Sequence, residues 1–467
     1  MPTASCDFAV LGGGLAGLTI AREIARSGRS VAVFERDADV GGLARTFRAD
    51  GFSFDLGGHR FHSNNPDVVG WLQDLMGPDL LRVTRRSRIR LDGRFIDYPL
   101  RLAQGISAFG PREAVSITTS YVTALVSRDT TEAVSFEHWV TRRFGRRLYD
   151  LYFRPYTEKV WGIGCHELAA DWAAQRIGLP SLTQAVYRAL VPARTVPATA
   201  VPEFFYPRSG YGAITDRLAD EIVANGQTVM TNASVEEVRF ADDEALIGVR
   251  GDDGAPATCR CRHVISTIPV GALLRALSHD AELAPLASSA RLAYRGLVLI
   301  FLALDRARVS PDTWTYFPDP ALIFGRAHEP KNWSSAMVPD RRVTSLALEV
   351  FCSPGEAPWT ADDRALVDRT VGELEGIGWI RAREVRASWV IRVPCAYPIY
   401  SLDYRDQVAR LRDALRRWPR LSLLGRTGSF QYLNADGVVE ACFELASALG
   451  LRGDAVRPLP SDAGRWV

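Results

Sequence analysis

The chain has 467 residues, 47% of them apolar and 24% charged, with a net charge of +2. That length calls for more than one packed core, the composition excludes a disordered chain, and the small net charge supplies no bulk field for nucleic acid. Seven scattered cysteines, odd in number and without a CxxC, form neither a disulfide framework nor a zinc site, so free thiols in a cytoplasmic protein and no metal are expected. The longest apolar run, Gly296 to Leu304, is too short for a membrane span, and the first residues lack a basic leader region.

In chain order, Phe8-Ala9-Val10-Leu11 reads as a strand, Leu15 to Ser27 as a helix ended by Gly28, and Ser30 to Phe34 as a second strand. Residues 41–62 are a glycine-rich loop region, and from about 66 to 202 helical patterns dominate, which predicts a largely helical insertion. Val229 to Phe240 and Thr258 to Thr267 alternate like strands, and Asp252-Asp253-Gly254 marks a hairpin between them. Strands are expected at Gly296–Leu304, Trp314–Phe317, Thr344–Phe351 and Val385–Ile391, with helices at 362–376 and 403–417. The chain closes on a buried strand at Leu421–Gly425 and a helix from about Gly437 to Leu449. The fold class is therefore α/β. A Rossmann-type cofactor domain is assembled from 1–65, 203–275 and 420–467, with a helical insertion at 66–202 and a mixed-sheet substrate domain at 276–419.

Gly12-Gly13-Gly14-Leu15-Ala16-Gly17 fits G-x-G-x-x-G between a strand and a helix. Gly12 permits the tight turn, Gly14 lets backbone approach a pyrophosphate, and Gly17 lets the helix pack on the strand. Leu15 and Ala16 open that helix, whose free amides and positive dipole end face the phosphates. Glu35 ends the second strand, where a carboxylate accepts both ribose hydroxyls of an adenosine and repels a 2′-phosphate. Six residues later, Gly41-Gly42-Leu43-Ala44-Arg45-Thr46 offers a second close backbone approach and an arginine for phosphate.

This second glycine pair resembles the double-glycine motif of the amine oxidase, protoporphyrinogen oxidase and UDP-galactopyranose mutase flavoproteins. Leu424-Gly425-Arg426 with Asn434-Ala435-Asp436-Gly437-Val438 resembles their closing motif, in which the last helix points its N-terminus at the flavin. The resemblance implies non-covalent FAD held by Gly12, Gly14, Leu15, Ala16, Gly17, Glu35, Gly42, Leu43, Arg45, Gly58, His59, Val235, Gly425, Arg426, Asp436, Gly437 and Val438. Two further segments are similar to the mutases in particular. Asp55-Leu56-Gly57-Gly58-His59-Arg60-Phe61-His62 resembles a loop that lies against the flavin, and Tyr156-Thr157-Glu158-Lys159-Val160-Trp161-Gly162 resembles a segment lining the nucleotide-sugar site. Arg176-Ile177, Arg326 to Lys331, and Tyr397-Pro398-Ile399 follow in the same order.

What this implies is a flavoenzyme acting on a glycosyl or nucleotide-linked sugar substrate. His59, His62 and Arg326 would be catalytic, and Tyr156, Trp161, Arg176 and Tyr397 would bind substrate. The alternative is an oxidase or desaturase of the amine oxidase type. A small-molecule substrate, no nucleic acid and no membrane span are expected, and a homodimer is left open.

Overall fold

Val31–Phe34 is buried at all four positions, as a parallel strand covered on both faces must be. It pairs in parallel with Ala4–Leu11, and Ala4–Leu11 pairs in parallel with the long strand Pro256–Ser266. These are central strands of the first sheet in a computed structural model, which describes residues 4–98, 102–127, 131–176, 202–241, 243–280, 283 and 291–452. The sheet runs Ser234–Phe240, Ala245–Arg250, Pro256–Ser266, Ala4–Leu11, Val31–Phe34, Thr228–Met230, and Leu421–Leu423 also joins Pro256–Ser266 in parallel. Helices Leu15–Arg26 and Ala435–Ala448 pack on each other over this sheet, so the first and last elements of the chain share one core. The hairpin expected at Asp252-Asp253-Gly254 is present, with Gly254 at φ 72°.

The second sheet runs Val385–Pro398, Tyr294–Leu304, Thr344–Phe351, Arg326–His328, Trp314–Tyr316, Ser87–Leu91, Arg94–Tyr98. Its last two strands are a departure from sequence expectation. Residues 80–98 lie in the stretch read as helical, yet they form three strands, two of them a hairpin that edges this sheet. The local chemistry explains it: Ser87, Ile89 and Leu91 are buried in alternation with arginines, and Asp92 and Gly93 both take positive φ in the turn. The third, Leu80–Thr84, pairs antiparallel with Glu203–Pro207, so that segment also stands outside the first sheet. The expected strand at Thr344–Phe351 is found at those bounds, and Val385–Pro398 runs seven residues past the expected Ile391.

Candidate active site

The dinucleotide turn is built by three glycines with different duties. Gly12 has φ 102°, and a Cβ there would lie 2.5 Å from Thr267 Oγ1. A Cβ on Gly17 would lie 1.9 Å from the Gly12 carbonyl oxygen, so only glycine lets the helix sit this close to the strand. A Cβ on Gly14 would meet only Gly41 O and Gly42 Cα, both at 3.9 Å, an ordinary contact distance, so nothing crowds that position. Helix Leu15–Arg26 has Gly14 as N-cap, no side-chain cap and no acidic residue in its first turn, leaving its amides for a ligand. Glu35 is oriented by the amides of Gly13, which donates to Oε2 at 2.8 Å, and Asp37, which donates to Oε1 at 2.9 Å. A carboxylate has about four acceptor sites, so two are left for hydroxyls. Arg45 Nη1 lies 3.3 Å from Asp37 Oδ2, with Gly42, Leu43 and Ala44 in the preceding turn. Val235 enters its strand two residues after Ala233, whose amide donates to the Glu35 carbonyl at 2.7 Å.

A cavity lies beside strands Ser87–Leu91, Trp314–Tyr316, Arg326–His328 and Val385–Pro398 of the second sheet. Its lining includes Gly58, His59 and His62 of the glycine loop, Arg326 and Tyr397 of the second sheet, and Arg426 and Asp436 near the closing helix. Gly58 is required by contact, since a Cβ would fall 2.0 Å from the Trp314 ring. Arg326 Nη2 lies 2.6 Å from Glu349 Oε2 and donates to Tyr397 Oη at 2.7 Å, with its guanidinium 4.6 Å from the Phe351 ring centroid. Glu349 Oε1 accepts from the Gly58 amide at 3.1 Å, so one buried carboxylate ties Arg326 to the histidine loop. Arg426 donates from Nε to Leu433 O at 2.8 Å and from Nη1 to Ala396 O at 3.2 Å, and sits 5.0 Å from the Tyr432 ring centroid. Gly425, at φ 79°, lets this loop pass Ala16, whose Cβ would lie 2.7 Å from an added Cβ. Helix Ala435–Ala448 begins at the cavity, and its N-cap Asn434 makes no side-chain capping bond. Gly437 and the buried Val438 are in its first turn.

Burial here disfavours a protonated imidazole. Burial, then Arg426 and Arg326, push His59 from the ordinary 6.5 to about 3, and the ring stacks on Tyr211 at 5.2 Å with Nδ1 unpartnered. Burial, then His59 and Arg326, do the same to His328, also to about 3. His62 is lowered by burial, then by Arg60. The unfolded chain protonates these rings near 6.5 while the fold does not, so their stability contribution is full above 6.5 and is lost as pH falls. The rate is about 1.4 kcal/mol per pH unit for each fully buried ring. Asp55 runs the other way. Burial raises it from 3.8 to about 6, against hydrogen bonds from Thr46, Tyr206 and Tyr211. The fold therefore takes up a proton between 6 and 3.8 that the unfolded chain does not, which offsets about one ring. Stability should fall most steeply between pH 6.5 and 6, then at about half that slope toward pH 4. Urea midpoints across that range measure it, and a midpoint unchanged from pH 7 to pH 5 contradicts the assignment.

Of the expected substrate residues, Trp161 and Tyr156 stand outside the cavity lining. Trp161 is 1% exposed and packs behind the wall, 6.2 Å from both Tyr397 and Tyr432, within the Phe136–Trp139 core. Its position on helix Arg154–Trp161 turns it inward, a choice that only the packing of the neighbouring helices fixes. Tyr156, one turn earlier, contacts Tyr316 of the cavity wall at 5.8 Å. Arg176 ends helix Ala170–Arg176, and its side chain lies outside the described residues. The sequence reading missed Tyr211, Trp314, Tyr432 and Glu349. For Glu349 a signal existed: it is the one charge in Thr344–Phe351, a strand buried at every position.

Residues 15–441 match the family of flavin containing amine oxidoreductases. The chain belongs to that family. Among curated relatives of this flavoenzyme, a protein described as a probable UDP-galactopyranose mutase from Klebsiella pneumoniae is 25% identical over 168 residues, 35% of this chain and 43% of the relative. A 4,4'-diapophytoene desaturase from Staphylococcus haemolyticus is 31% identical over 151 residues, 32% of this chain and 26% of the relative. The matched stretches thus span less than half the length of these relatives. The fold is that of reduced UDP-galactopyranose mutase, with a TM-score of 0.80, 21% identity and coverage of 98% and 96% of the two chains. A putrescine oxidase matches with a TM-score of 0.64, 16% identity and coverage of 97% and 100%.

The cofactor of this flavoenzyme family is FAD, and the chain's own features fit it: the uncrowded Gly14, two uncapped helix N-termini, and Glu35 held by amides. Bound, the flavin supplies electrons, or accepts them, at the substrate. The protein's part is legible in its side chains. At neutral pH His59 is an uncharged group and no proton reservoir, because burial, and then Arg426 and Arg326, destabilise its conjugate acid. Arg326 is held in one orientation by Glu349 and Tyr397, and Tyr397 stacks in turn on Tyr432, 5.7 Å apart at 11°.

Proposed function

We propose that this flavoenzyme acts on an anionic glycosyl substrate, a nucleoside diphosphate sugar being the class that fits best. One observation carries the reading: the cavity lining holds four arginines, Arg60, Arg85, Arg326 and Arg426, and among the described residues one carboxylate, Asp436. Guanidinium forks bind phosphate oxygens in pairs and hold their charge, which suits a departing diphosphate. Arg176 belongs to this proposal as a further diphosphate contact, and Tyr156 as a neighbour of the sugar. Tyr211, Tyr316, Tyr397 and Tyr432 add hydroxyls on flat rings, a surface suited to a pyranose. The oxidase or desaturase reading has support in the family's description and in the desaturase relative. It fits the cavity less well. An ammonium substrate would meet like charge from the lining arginines, and a long polyene has no use for four of them.

The test is titration of the flavin-loaded enzyme while its visible spectrum is followed. UDP and UDP-galactopyranose should perturb the spectrum at or below millimolar concentration, and putrescine should not. Arg85→Ala should weaken UDP about tenfold or more, as loss of a charged hydrogen bond does. A response to the diamine together with none to UDP overturns the reading in favour of the oxidase.

A further inference from the structure

A second cavity opens on the first sheet and shares no lining residue with the arginine-lined one. Val31, Ala32, Phe34, Val249 and Ala257 make an apolar wall, and two thiols, Cys6 and Cys259, complete it. Their Sγ atoms are 3.6 Å apart, although 253 positions separate them in the sequence. The pairing of the two central strands brings them together, with Ala4 opposite Cys259 and Cys6 opposite Cys261. Cys6 is half-buried, and Cys259 and Cys261 are buried. Neither Cys6 nor Cys259 lines the candidate active site.

Two sulfurs in contact at a cavity wall need to approach by about 1.5 Å to reach bonding distance, and because Cys6 sits opposite Cys261 and diagonal to Cys259, the end of the first strand has to shift with them. We propose that Cys6 and Cys259 are an oxidation site, a dithiol that hydrogen peroxide converts into a disulfide between the two central strands. The thiolate of one cysteine attacks a peroxide oxygen and releases hydroxide, leaving a sulfenic acid. The second thiol attacks that sulfur, the S–S bond forms, and the sulfenic oxygen leaves as water. Two thiols and one peroxide give one disulfide and two waters, so the sulfurs lose two electrons and the peroxide oxygens gain them. The two thiols titrate as a pair. Their shared hydrogen bond raises Cys6 and lowers Cys259. The bond would fasten the N-terminal strand to Pro256–Ser266, the longest strand of its sheet.

The experiment uses the full chain with its flavin bound, reduced, desalted, exposed to a modest excess of hydrogen peroxide and then alkylated under denaturing conditions. Two of the seven thiols should be lost, the mass should fall by two hydrogens, and digestion should yield a peptide joining Cys6 to Cys259. Dithiothreitol should restore all seven. Cys6→Ser should abolish the linked peptide and leave a dimedone-reactive sulfenic acid on Cys259, whereas Cys261→Ser should leave the link unchanged. The peptide map of the unsubstituted protein decides the matter even if a variant folds poorly. A link to Cys261, first oxidation at Cys395, or seven free thiols after treatment overturns the proposal.

Discussion

Glu349→Ala should cost about 3–5 kcal/mol of folding stability, the usual loss when one partner of a buried ion pair is removed. Glu349 is 0% exposed, and the Arg326 side chain only 13%. The substitution leaves a largely buried guanidinium without its carboxylate and also removes the acceptor of the Gly58 amide. The cost arises from the unpaired charge, and a second substitution isolates it. Adding Arg326→Met to Glu349→Ala should return most of the loss, because an apolar side chain of similar length fills the space among Trp314, Phe351 and Tyr397 without a charge to satisfy. Urea denaturation of the three proteins at pH 7.5 measures both steps. A single-variant loss under about 1 kcal/mol, or a double variant no better than the single, would remove the pair as the clamp between the second sheet and the histidine loop.

Gly14→Ala and Gly17→Ala should fail in different ways. The added methyl at Gly17 meets a carbonyl oxygen at 1.9 Å, so helix Leu15–Arg26 has to move off its strand. Overpacking of this kind costs about 1–3 kcal/mol, and the loss should appear in the flavin-free protein. The methyl at Gly14 meets nothing closer than 3.9 Å, so the flavin-free fold should melt as before. It occupies the space a pyrophosphate needs, and FAD affinity should drop about a hundredfold or more, corresponding to about 3 kcal/mol. Melting curves of both flavin-free variants, followed by FAD titration, separate the two effects. A Gly14→Ala protein that retains wild-type FAD affinity would mean that the pyrophosphate does not pass over this residue.

The sequence by itself determined the parts whose rules are local. The turn at Gly12–Gly17, the carboxylate of Glu35, the second glycine pair at Gly41 and Gly42, and the strand at Thr344–Phe351 follow from steric needs and periodicity within about ten residues. The hairpin at Ser87–Tyr98 was equally local, with Asp92-Gly93 between alternating residues, but the surrounding aromatic and helical stretches hid it. The site as a cavity was another matter. That Trp161 faces a core while Tyr397 faces the cavity depends on which helices cover each one, and both are aromatic residues in amphipathic segments. Glu349 was visible as a lone charge in a buried strand, yet its partner could not be named, because 23 positions separate it from Arg326 and only the antiparallel register sets them side by side. The same holds for Cys6 and Cys259. Local sterics write turns and strands into neighbouring residues, whereas charge pairing, burial of one aromatic over another, and thiol contact arise only when distant strands take their register, and that is decided by the tertiary structure.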